Sequence, residues 1–138
     1  TLIANSIGAY FAMSAEIDDL IEKAYFISPI IDMEKLIFDM MERVNVTESA
    51  LKKKNVIHTD FGEDLSWEYL SYVRTHPIQW KAPTEILYGS EDHLTSLETI
   101  STFSLKNNVH LTIMQGGEHY FHTDAQMKFL DQWIQGNL

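Results

Sequence analysis

Four short apolar, β-prone runs, separated by stretches of helical periodicity, constrain this chain more than any other feature. They are Thr1-Leu2-Ile3-Ala4, Ala24-Tyr25-Phe26-Ile27-Ser28, Thr84-Glu85-Ile86-Leu87-Tyr88 and Val109-His110-Leu111-Thr112-Ile113-Met114. Runs apolar on both faces suit strands buried inside a parallel sheet, whereas a half-solvated antiparallel strand alternates. Pro29, Gly89 and Gly116-Gly117 mark the ends of the last three runs. Between the runs, Ser6 to Ala15 is rich in Ala and poor in charge, the composition of a helix buried on most sides. From Asp32, a good N-cap, the residues Met33, Leu36, Ile37, Met40, Met41 and Val44 recur at helical spacing. Weaker helices are expected from Thr47 to Asn55 and from Ser66 to Arg74, the latter closed by His76-Pro77. Ser96 to Leu105 and Thr123 to Ile134 complete the set. Strands alternating with helices predict parallel βαβ units with right-handed crossovers, hence an α/β chain with a mainly parallel sheet flanked by helices. Residues 1–138 then make a single domain, interrupted at 32–80 by a helical insertion of the lid or cap type.

Composition narrows the function. Twenty acidic against ten basic residues give a formal charge of -10, which repels phosphate-rich partners at long range and disfavours nucleic acid and anionic membranes. The chain has no cysteine, which removes disulfides, thiolate nucleophiles and Cys-ligated metals, and fits a reducing, cytoplasmic location. No apolar run approaches the roughly 20 residues a membrane-crossing helix needs.

Chemistry concentrates where strands end. Ala4-Asn5-Ser6-Ile7-Gly8 sits where a buried strand gives way to a buried helix. A serine on such a turn projects its hydroxyl from the sheet, as a nucleophile elbow of the G-x-S-x-G kind requires. The backbone N–H of Ile7 would face an oxyanion, which the helix dipole favours. Taken alone, the pentapeptide also allows Ser6 to be a simple N-cap. A hydroxyl nucleophile needs a base, and the base an acid to orient it. Asp92 follows the run ending at Tyr88, and His119 follows the run ending at Met114, so both are expected at the same carboxyl edge of the sheet as Ser6.

At these residues the sequence resembles the α/β-hydrolase superfamily, whose triad runs Ser, acid, His in chain order, as Ser6, Asp92 and His119 do. Ile86 to Thr95 is similar to the family's penultimate strand and acid loop, and Gly116-Gly117-Glu118-His119 to its histidine loop. Ser28-Pro29-Ile30-Ile31-Asp32-Met33 is similar to the exit of the strand after the nucleophile helix, where many members insert a lid. The resemblance covers essentially the whole chain and implies a serine hydrolase acting on a small ester or related acyl substrate, needing neither cofactor nor metal. It departs in two places. The first elbow glycine is Ala4, and the family's first strands are absent, with the loop that donates its other oxyanion N–H. The chain therefore corresponds to the C-terminal half, and sequence is expected to precede Thr1. It also leaves the strand at 1–5 as an open apolar edge, expected to pair with that preceding segment, with a second copy in a homodimer, or in an aggregate. The alternative to an enzyme is accordingly a catalytically silent half domain that self-associates through this edge.

Several residues compete for these roles or for none. His122 is a rival base, but the Gly-Gly turn places His119 first, leaving His122 to pack against or cap the last helix. Glu91 is a rival acid to Asp92, and Glu118 reads as a solvated loop carboxylate. His93 reads as structural, while His58, His76 and His110 lack metal-ligand spacing. Lys52-Lys53-Lys54 reads as a solvated helix face. The Met33, Met40, Met41 stripe, and Trp67, Tyr69, Tyr72 and Trp80, suit either the core of the insertion or the wall of a substrate pocket.

Overall fold

The computed structural model describes residues 1–138. In chain order the elements are β1 (Leu2–Asn5), α1 (Ser6–Ser14), β2 (Ala24–Ile27), α2 (Met33–Arg43), α3 (Glu48–Lys54), β3 (Val56–Ile57), β4 (Leu65–Ser66), α4 (Trp67–Thr75), β5 (Thr84–Glu91), α5 (Leu97–Lys106), β6 (Val109–Glu118) and α6 (Asp124–Asn137), with a 3-10 turn at Asp18–Leu20. The chain divides into two compact units. One comprises Thr1–Ile31 and Ile78–Leu138; the other is Asp32–Pro77.

The first unit is a four-stranded sheet in the order β1-β2-β5-β6, every neighbouring pair parallel. Alternation along the strands sends side chains to two apolar layers. Phe26, Ile86 and Tyr88 join Ala9 and Met13 of α1, Ile100 and Phe103 of α5, and Trp80. Tyr25 and Leu87 point the other way, to Phe121 and to Trp133 of α6. Helices thus cover both faces, which is what lets the central strands carry apolar side chains on both faces. Trp80, which the sequence assigned to the insertion, is 2 % exposed and packs on Phe26 with ring centroids 5.6 Å apart.

The second unit carries α2, α3, α4 and the two-stranded antiparallel β3–β4 ladder, too short to show in sequence. Arg74 of α4 donates to Glu34 of α2 and Glu48 of α3, exposed pairs that orient the helices and add little stability. Lys52 lies 5.7 Å from the centre of the Trp67 ring.

Glycine behaves differently from the sequence reading. Gly89 and Gly116-Gly117 do not end their strands: β5 runs on to Glu91 and β6 to Glu118. The ladder pairs Gly89 with Met114 and then Glu91 with Glu118, so Ser90 alone opposes three residues, a bulge that bends β6. A Cβ on Gly89 would run into the Gly117 carbonyl. These glycines permit close approach of two backbones, and Gly116 also takes a left-handed φ of +76°.

Candidate active site

Five of the six helices begin with a side-chain cap. Asp32, Thr47, Ser66, Ser96 and Thr123 each accept from the backbone N–H three residues on, at 3.0–3.2 Å. Helix α1 does not: Asn5 occupies its N-cap position without a side-chain bond, and its first turn has no acidic residue. The N–H groups of that turn, Ile7 included, have no partner within the helix. Ser6 is its first residue, held at a left-handed φ of +48°, a conformation that costs an L-residue roughly 1–2 kcal/mol. Strain of this kind is characteristic of functional turns.

Ser6 therefore does not cap the helix. Its Oγ lies 2.9 Å from His119 Nε2, and His119 Nδ1 lies 2.8 Å from Asp92 Oδ2. The Asp92 side chain is fully enclosed and that of His119 is 18 % exposed. The second Asp92 oxygen, Oδ1, accepts the backbone N–H groups of Leu94 at 2.8 Å and Thr95 at 3.2 Å. A carboxylate so engaged leaves Nδ1–H of His119 as donor to Oδ2 and frees the Nε2 lone pair toward Ser6. Tyr88 donates its hydroxyl to the Thr95 carbonyl at 2.7 Å. Burial, and then the neighbouring Asp92, push the Tyr88 hydroxyl above its ordinary pKa, which keeps it a donor.

β1 and β6 are the two outer strands of the sheet, three spacings apart, or roughly 14 Å at about 4.8 Å each. His119 crosses that distance because the bulge re-aims the end of β6 and the residues after Glu118 turn back over the carboxyl edge. Glu118 holds the turn: its carboxylate accepts from His122 Nε2 at 2.7 Å and Gln126 Nε2 at 2.8 Å. Its pKa is lowered, by Gln126 first and His122 second. Glu118 is thus the bonded last residue of β6 and not a free loop carboxylate. His122 donates its backbone N–H to Gln126 Oε1 at the start of α6. Glu91 and His93 are exposed; the carboxylate that meets His119 is that of Asp92.

A cavity of about 370 Å³ opens beside Ser6, walled by Ile3, Ala4, Ile27, Phe121 and Leu130 with Asn5, Ser28, His119 and Tyr120. Sequence reading gave Ser28 no role beyond the exit of its strand. It is buried, has a left-handed φ of +47°, and its Oγ has no hydrogen-bond partner. It stands one residue past β2, at the level of Ser6 one residue past β1.

Solved structures share this arrangement of strands and helices. A hydrolase from Agrobacterium vitis S4 superposes with a TM-score of 0.70 over 98% of this chain and 60% of its own, at 14% identity. Mouse α/β hydrolase domain-containing protein 10 gives 0.71 over 98% and 60%, at 12% identity. The chain has the α/β-hydrolase fold. A Pyrococcus furiosus esterase, 21% identical, adds a TM-score of 0.62 over 97% of this chain and 51% of its own. The chain thus spans about 60% of the length of the first two α/β-hydrolase structures it matches. No protein-family model and no curated protein matches the sequence. No group of three or more His, Cys, Asp or Glu side chains is placed to hold a metal, and no helix is long and apolar enough to cross a membrane.

Proposed function

We propose that this chain carries the catalytic groups of a serine hydrolase that cleaves a small ester or related acyl substrate. The observation that carries the reading is the hydrogen-bonded series Ser6 Oγ, His119, Asp92, at 2.9 and 2.8 Å. Ser6 attacks the acyl carbonyl while His119 Nε2 takes its proton. The tetrahedral oxyanion meets the N–H of Ile7 at the uncapped start of α1, where the helix dipole favours negative charge. His119, now protonated, gives its proton to the leaving alcohol, and the acyl group remains as an ester on Ser6. Water, deprotonated by His119, then releases the acid and restores the serine. Asp92 holds the imidazole in the tautomer that the first step needs. The largely apolar cavity beside Ser6 would receive the acyl group.

A fluorophosphonate probe tests this on the full-length protein. Intact mass is expected to rise by one adduct, and Ser6→Ala to abolish the adduct and lower the hydrolysis of p-nitrophenyl acetate at least about 1,000-fold. Parental ester hydrolysis in Ser6→Ala would overturn the proposal.

A second reading rests on β1. It is an outer strand, with Ile3 54 % exposed and, on the helix that follows, Ile7 41 % and Phe11 51 % exposed. An apolar edge of this kind pairs readily with another strand. On this reading the chain is a catalytically silent half domain that self-associates there.

A further inference from the structure

Ser6 and Asp92 stand on separate elements, and their separation decides whether His119 can serve both. Nothing bonds their side chains directly, but a buried backbone route joins them. Ile30 donates its N–H to the carbonyl of Ser6 at 3.1 Å. One residue earlier, the Pro29 carbonyl accepts from Thr95 Oγ1 at 3.0 Å. Thr95 in turn donates its own N–H to Asp92 Oδ1 and accepts at its carbonyl from Tyr88. The Pro29 carbonyl and the Ile30 N–H belong to one trans peptide group, so they point opposite ways, the carbonyl to the acid loop and the N–H to the nucleophile turn. Thr95 is 3 % exposed, so water does not readily replace these bonds.

We propose that Thr95 is a positioning residue that sets the span between Ser6 and Asp92, through Pro29 and Ile30, and thereby the alignment of His119. The proposal rests on the serine-hydrolase reading for its kinetic consequence and on geometry alone for its structural one. Thr95→Val keeps the shape and the backbone N–H to Asp92 but deletes the donor to Pro29. Thr95→Ser keeps the donor and deletes a methyl group.

Two readouts on the full-length protein separate the possibilities: turnover of p-nitrophenyl acetate, and the His119 Nδ1 proton resonance in ¹H NMR. In Thr95→Val, kcat is expected to fall about 10- to 100-fold, the effect of an error near 1 Å, with KM within twofold and the resonance moved upfield. Thr95→Ser is expected to restore kcat to within about threefold and return the resonance to its parental place. Should Thr95→Val fail to fold, Thr95→Ala against Thr95→Ser makes the same comparison. Parental kcat and resonance in Thr95→Val, or equal damage in Thr95→Ser, would overturn the role of the hydroxyl. A resonance that moves in Thr95→Val while Ser6 resists the fluorophosphonate would uphold the positioning and sink the hydrolase reading instead.

Discussion

The Asp92 carboxylate takes part in three hydrogen bonds, two at Oδ1 from backbone N–H groups and one at Oδ2 from His119. That asymmetry makes Asp92→Asn a sharp test. The backbone donors hold the amide oxygen of an asparagine on their side, so its NH₂ faces His119 Nδ1. The imidazole must then accept at Nδ1 and carry its proton on Nε2, facing Ser6 with a donor where the attack requires an acceptor. Turnover in the full-length protein is expected to drop by on the order of 1,000- to 10,000-fold, with circular dichroism unchanged and fluorophosphonate labelling slowed in parallel. Labelling at the parental rate would count against Asp92 as the orienting acid. At this scale the sequence exposes residue types and their order, which is how Ser6, Asp92 and His119 could be singled out. It is silent on partners far apart in the chain: Thr95 meets Pro29 across 66 positions, and neither residue is chemically distinctive. Ser28 was read only as part of a strand exit for a similar reason, since a left-handed serine reads like any other until its φ is known.

At the scale of elements, the helix starts were legible because capping is local. Asp32, Ser96 and Thr123 each bond three residues ahead, within the window a sequence reader sees. The ends of β5 and β6 were not, because glycine has two meanings in a strand. It reads as a stop, yet here Gly89 and Gly117 let two backbones approach past the distance a Cβ allows. Gly89→Ala is therefore expected to cost at least about 2 kcal/mol, as overpacking against backbone does, and to lower Tm by roughly 5–10 °C for a domain of this size. Activity should fall further than stability predicts, since the β6 bulge leads directly into His119. A Tm within 2 °C of the parent would show that the strands separate at little expense. The β3–β4 ladder was invisible for another reason: two residues per strand carry no periodicity.

For the whole molecule, the sheet order places β1 at one margin and β6 at the other. If β1 pairs with itself in a second copy, sedimentation velocity should show a concentration-dependent dimer of this chain, and Ile3→Lys should return it to monomer without loss of helix signal. A monomer at every concentration up to about 100 μM would set the self-association reading aside. The fold class was legible in the alternation of apolar runs and helical stretches, because parallel pairing requires a crossover after each strand. The insertion read at 32–80 differs from the second compact unit, Asp32–Pro77, because Trp80 belongs to the core of the sheet unit.

The contact between Ser6 and His119 closes a loop of 113 positions and joins the first strand of the sheet to the last. Contacts so distant in sequence form late and slowly, after the nearer crossovers have docked. Covalent capture of the serine would then serve as a clock for maturation: in a refolding reaction, reactivity would lag behind the recovery of helix and sheet signals. It would register the moment the two margins are drawn together, and any nascent chain released before β6 emerged would be folded in part yet chemically mute.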